Sequence, residues 1–160
     1  MAKSPARALA EPAPSPAETA CSAADTLCRA AAECARQHER LGRCLEMGCS
    51  DVELDHVVEL ATLTDKHLDS STAAYESLAT AAPDAKNAKW FHAANTLWHA
   101  SREYTRRSAG TNHVSRLAGK HAKDKLHELG MEYELERSAL MGLKQAVDVY
   151  TAVRTDVLRK

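Results

Sequence analysis

A chain of 160 residues is long enough for one domain with a real hydrophobic core, and its formal charge of −1 predicts neither a polyanionic nor a membrane-surface partner. Glycine and proline are scarce, at 6 and 5, and isoleucine is absent, so no segment shows the β-branched alternation of a strand. Alanine, leucine, glutamate, lysine and arginine dominate, which is the composition of long helices. No apolar run approaches the roughly 20 residues that cross a bilayer.

The first segment, residues 1–15, holds the prolines at 5, 12 and 14 and little hydrophobic bulk, so it reads as a disordered tail. It lacks the apolar core of a secretory signal, and a cytoplasmic location is the expectation. The rest, residues 16–160, reads as a single helical domain.

Helix 1 should open at SPAE, 15–18, with Ser15 as cap and Glu18 closing a capping box. Its inward stripe is Ala24, Leu27, Ala31, Cys34, His38, Leu41 and Leu45, at helical spacing, and Gly48 is the expected terminator. Helix 2 should start at the second capping sequence, SDVE at 50–53, and bury Leu54, Val57, Val58, Ala61, Leu68, Tyr75 and Leu78 before Pro83 bounds it. Helix 3 is expected from Pro83 to Ala109, with Trp90, Ala94, Leu97, Ser101 and Tyr104 on one stripe and Phe91 and Trp98 beside it. A fourth helical pattern runs from 112 to 158 and would reach roughly 70 Å, so Gly130 is the expected place for a break. Short connections between long amphipathic segments predict an all-α, antiparallel up-down bundle of four helices.

Charge is divided along the chain. Residues 51–81 carry seven acids and one base, and residues 84–130 carry nine bases and four acids. An acidic helix lying beside a basic one accounts for this. A nucleic-acid surface built from Arg102, Arg106, Arg107, Arg116, Lys120, Lys123 and Lys125 is the weaker alternative, since no DNA-reading motif accompanies it.

Several constellations could hold a metal. His92, His99 and Glu103 form a polar line along helix 3, and His99 and Glu103 are one turn apart, a spacing at which two side chains can share an ion. The pair Glu53 and His56 forms the Glu-x-x-His element that di-iron four-helix proteins use twice, although Glu53 is also explained as a capping residue. With His67 added, helix 2 presents two histidines opposite the two of helix 3. This arrangement resembles the hemerythrin-like pattern in its general form, with His99-x-x-x-Glu103 matching one element and the companion elements absent.

Cys34 and His38 are one turn apart on the core stripe of helix 1, a pair suited to copper or zinc. The stretch CRAAAECARQH, 28–38, resembles the cysteine-rich helices of bundle copper-storage proteins, which place cysteines on every helix. Here all five (21, 28, 34, 44 and 49) fall in the first third, and free thiols are expected over disulfides. No phosphate loop, metalloprotease motif or nucleophile–base signature is present, so no reaction is expected. The sequence therefore supports a non-catalytic bundle acting through protein contacts, self-association included. An iron-, copper- or zinc-binding bundle with a redox or storage role is the alternative.

Overall fold

The structure, a computed structural model, describes residues 13–118 and 122–159. Four long helices form an up-down bundle: α1 (Pro16–Met47), α2 (Asp51–Thr80), α3 (Lys89–Ala118) and α4 (Ala122–Leu158), with a short 3-10 turn at Pro83–Asn87 before α3. No strand occurs among the described residues. Of the expected tail, residues 1–12 lie outside the described residues.

The caps act as their chemistry requires. Ser15 Oγ accepts from the Glu18 N–H at 3.2 Å, and the Glu18 carboxylate accepts from the Ser15 N–H at 2.7 Å. Gly48, at φ 72°, ends α1 in the left-handed region that favours glycine. Ser50 Oγ then accepts from the Glu53 N–H at 3.3 Å to open α2.

Three features differ from the sequence reading, the first being that α3 starts at Lys89, after the separate turn at Pro83–Asn87, and not at Pro83. Residues 110–112 do not end α3, which continues to Ala118; Thr111 bonds back to the Arg107 carbonyl at 3.2 Å and reaches the Glu132 carbonyl at 3.4 Å. A single glycine costs a helix only about 1 kcal/mol, too little to stop one that packs along its whole length. For the same reason α4 passes unbroken through Gly130, and its 37 residues span about 55 Å rather than 70.

Cross-helix bonds set the arrangement. Tyr150 and Arg154 of α4 meet Asp25 of α1, and Lys144 of α4 pairs with Glu39. Tyr75 and Tyr104 join α2 and α3 through Asn95 and Asp65. In each pair the lower number of one helix meets the higher number of the other, so neighbours are antiparallel. Alanines 20, 24, 30, 31 and 35 of α1 are buried and let its partners approach closely. Leu27, Leu68, Leu97 and Leu143 fill the centre, each worth about 1.5–3 kcal/mol relative to exposure.

Three tyrosines, 75, 104 and 150, are also fully buried, and each hydroxyl donates to a side chain on a neighbouring helix. Burial pushes the Tyr75 phenol up to about 12. At Asp25, burial alone would raise the carboxyl, but hydrogen bonds from Arg154 and Tyr150 outweigh it and hold the group below its ordinary value.

Packing is uneven along the bundle. In the first turns of α2 only Val57 and Ala61 are buried, and among the described side chains of α4 none before Leu143 is buried. Leu45, Met47, Val52, Met131, Tyr133 and Leu135 are exposed at this open end. Along α4 from 140 to 157, Leu143, Ala146 and Tyr150 go inward while Val149 and Val157 stay exposed, so apolar surface is left uncovered toward both ends of the helix.

Candidate metal centre

The aromatic run of α3 belongs to the core. Trp90, Phe91, Ala94, Leu97, Ser101 and Tyr104 are buried, and Trp90 and Phe91 pack edge to face with ring centroids 5.7 Å apart. The polar line beside it faces outward. His92 and His99 are exposed, and His99 stacks edge-on against Trp98. Glu103 binds Arg106 and Arg107, both at 2.8 Å, which holds its carboxyl below the ordinary range. Glu53, His56 and His67 are exposed on α2. None of these six joins a group of three potential ligands among the described residues.

Cys34 and His38 do join one. Both project from α1 toward α2, where Asp65 meets them: its Oδ1 accepts from His38 Nε2 at 2.8 Å and from the Cys34 thiol at 3.3 Å. The three candidate ligand atoms lie within 4.8 Å of one another. From α3, the Tyr104 hydroxyl reaches the same Oδ1 at 3.4 Å, and its ring packs edge-on against His38 with centroids 5.5 Å apart. Residues of α1 and α3 thus converge on one carboxylate of α2. Cys34 is fully buried, the His38 side chain is 15% exposed and that of Asp65 is 32% exposed, so the cluster runs from the core to the surface.

The electrostatics separate a metal site from a nucleophile. Burial, reinforced by the Asp65 charge, pushes the Cys34 thiol far above its ordinary value. The Tyr104 phenol is raised by burial first and then by the neighbouring negative groups. A neutral thiol is a poor nucleophile. Moreover Asp65 lies between Cys34 and His38, so the imidazole is not placed to take the thiol proton directly. A divalent cation reverses the balance, because its charge drives a bound thiol to thiolate.

The spacing fits such an ion. A tetrahedral zinc with sulfur at ~2.3 Å and nitrogen and oxygen at ~2.1 Å needs ligand separations of about 3.4–3.6 Å. The observed Cys34–Asp65 separation of 3.3 Å would open by about 0.3 Å and the His38–Asp65 separation of 2.8 Å by about 0.6 Å, within reach of side-chain rotation. Cys34 and Asp65 are hydrogen-bonded at present through the proton that a metal would replace.

Sequence reasoning found Cys34 and His38 but not Asp65 or Tyr104 as their partners. A signal was available: Asp65 stands four residues after Ala61 and three before Leu68, an acid in the middle of a buried stripe.

The cysteines differ from the sequence reading in one respect. Cys44 and Cys49 are joined in a disulfide, with Cα atoms 5.2 Å apart, while Cys21, Cys28 and Cys34 are free. The sharp turn at Gly48 brings the two sulfurs together, a closeness that linear spacing does not reveal.

One basic residue of α3 pairs with the acidic helix α2, and two pair within α3 itself. Arg102 reaches Glu76 of α2 at 3.9 Å and lies over the Trp98 ring, and Arg106 and Arg107 hold Glu103. Arg116, Lys120, Lys123 and Lys125 lie outside the described side chains. Fold and site together define an all-α four-helix bundle with a sulfur–nitrogen–oxygen cluster among its helices. No protein-family model, curated protein or solved structure matches the chain. No helix among the described residues is long and apolar enough to cross a membrane.

Proposed function

We propose that the protein is a metal-binding helical bundle that holds one Zn(II) per chain through Cys34, His38 and Asp65. The observation that carries this reading is the convergence of a thiol, an imidazole and a carboxylate from two helices within 4.8 Å, around a shared oxygen. One sulfur, one nitrogen and one oxygen donor form a borderline set that suits zinc. Copper(I) favours several thiolates, and a di-iron centre needs more carboxylates. The partly open Asp65 edge gives water a route to the fourth position. Tyr104 donates to the same Asp65 oxygen and so helps to fix the carboxylate, as outer partners of metal ligands commonly do.

Zinc content after gel filtration tests it. The wild-type chain should retain close to one equivalent, Cys34→Ala and His38→Ala should retain little, and His99→Ala should match wild type. Equal zinc in all four proteins would reject the assignment.

A second reading, a cytoplasmic module acting through protein contacts, is favoured by one observation. The open end exposes Met47 at 84% and Val52 at 81% on one hairpin, and Met131 and Tyr133 on the other. The two readings are compatible, since the metal centre lies inside the bundle and the apolar residues lie at its end.

A further inference from the structure

We propose that Cys44 and Cys49 form a reversible thiol–disulfide couple, in which Cys49 is the sulfur that exchanges with a small anionic thiol of the glutathione type. This stands apart from the metal centre and uses neither Cys34 nor its partners.

The bridge adds little that the corner lacks. It spans a sequence separation of 5, and the benefit of closing a loop falls as the loop shortens. The corner is already fixed. The N–H groups of Gly48 and Cys49 both donate to the Cys44 carbonyl, at 3.1 and 3.2 Å, and Ser50 caps α2 directly after. Opening the disulfide therefore leaves the α1–α2 turn in place, as a couple that must cycle requires.

The two sulfurs are not equivalent. Cys44 is buried in the last turn of α1, at the negative end of the helix dipole. Cys49 is half-buried and stands just before the Ser50 cap, at the positive end of α2. Both line a surface cavity of about 520 Å³ with Arg40, Arg43, Met47 and Glu53. Two guanidinium groups favour a thiolate and attract the carboxylates of an incoming anionic thiol, outnumbering the single acid.

In the reducing direction the incoming thiolate attacks Cys49 Sγ. The sulfur–sulfur bond breaks, its electron pair passes to Cys44 Sγ, and that sulfur takes up a proton. A second thiolate attacks the outer sulfur of the mixed disulfide and releases Cys49 as thiolate. The net change is one protein disulfide and two thiols giving one protein dithiol and one small-molecule disulfide.

Full-length protein is equilibrated in graded mixtures of reduced and oxidised glutathione with chelator present. It is then quenched in acid and alkylated, and the tryptic peptide 44–66, which contains both cysteines, is quantified by mass spectrometry. The pair should pass fully between disulfide and dithiol with the far-UV CD spectrum unchanged. Cys44→Ser should acquire glutathione at Cys49 at least about tenfold faster than Cys49→Ser acquires it at Cys44. The double variant Arg40→Ser/Arg43→Ser should slow the reaction with oxidised glutathione but not with neutral hydroxyethyl disulfide. A bridge that stays closed across the whole range, helicity lost on reduction, equal reactivity of the two sulfurs, or an unchanged glutathione rate without the arginines would each overturn the proposal.

Discussion

Asp65→Ala probes the cluster most informatively, because one carboxylate oxygen serves three donors. Its removal leaves the Tyr104 hydroxyl without that acceptor, in a residue only 1% exposed. An orphaned buried hydroxyl costs about 1–3 kcal/mol. Ser108 lies within hydrogen-bonding reach of Tyr104 and can relieve part of this, so the lower half of that range applies. The Cys34 thiol is a weak donor and adds little, and His38 can turn toward solvent.

The expected loss is therefore about 1–2 kcal/mol. For a chain of this size that lowers Tm by about 2–8 °C. Asp65→Asn keeps an acceptor oxygen and should cost less than about 1 kcal/mol. In a double-mutant cycle, Tyr104→Phe combined with Asp65→Ala should cost less than the sum of the single changes by about 1 kcal/mol, because the orphaned hydroxyl is gone. Urea denaturation at neutral pH measures all five proteins. An Asp65→Ala protein as stable as wild type, with strict additivity in the cycle, would refute the picture of one carboxylate holding these groups together.

Trp90→Ala should destabilise by roughly 3–5 kcal/mol, read by urea denaturation, since Trp90 packs in the core against Phe91. Because Asp25 titrates below its ordinary value when folded, its contribution is complete above the unfolded carboxyl value near ~3.9 and is lost as pH falls through the lower, folded one. The stability gap between wild type and Arg154→Ala should accordingly be full at neutral pH and close in strong acid, as followed by CD across a pH series. If the open end is an association surface, light scattering should find a dimer that Met131→Asp together with Leu135→Asp converts to monomer, with helicity retained.

Much of the fold was legible because it rests on local rules. Ser15 and Gly48 mark the ends of α1 through hydrogen bonds made within a few residues, and the stripe from Ala24 to Cys34 follows from helical spacing alone. The boundary near 110 was misplaced because Gly110 weakens a helix without ending it. What keeps α3 going there includes the contact of Thr111 with Glu132, a residue on another helix. The site was half legible for the same reason. Cys34 and His38 are neighbours within one helix, while Asp65 reaches them only through the register of α1 against α2, which no single-helix pattern encodes. The lines through His92, His99 and Glu103, and through Glu53, His56 and His67, have correct local spacing but face solvent, since spacing along a helix does not say which face is covered.

Cobalt(II) substitution tests the metal assignment most directly, because the ion reports both its geometry and the presence of a sulfur ligand. Titrated into the chelator-treated protein, it should give the intense visible bands of a four-coordinate site together with a near-ultraviolet thiolate-to-cobalt charge-transfer band, saturating at one equivalent. Cys34→Ser should abolish the charge-transfer band, and Asp65→Asn should weaken binding while the band persists at saturation. A spectrum with only the faint absorption of hydrated cobalt, or a charge-transfer band that survives Cys34→Ser, would contradict a metal centre at Cys34, His38 and Asp65.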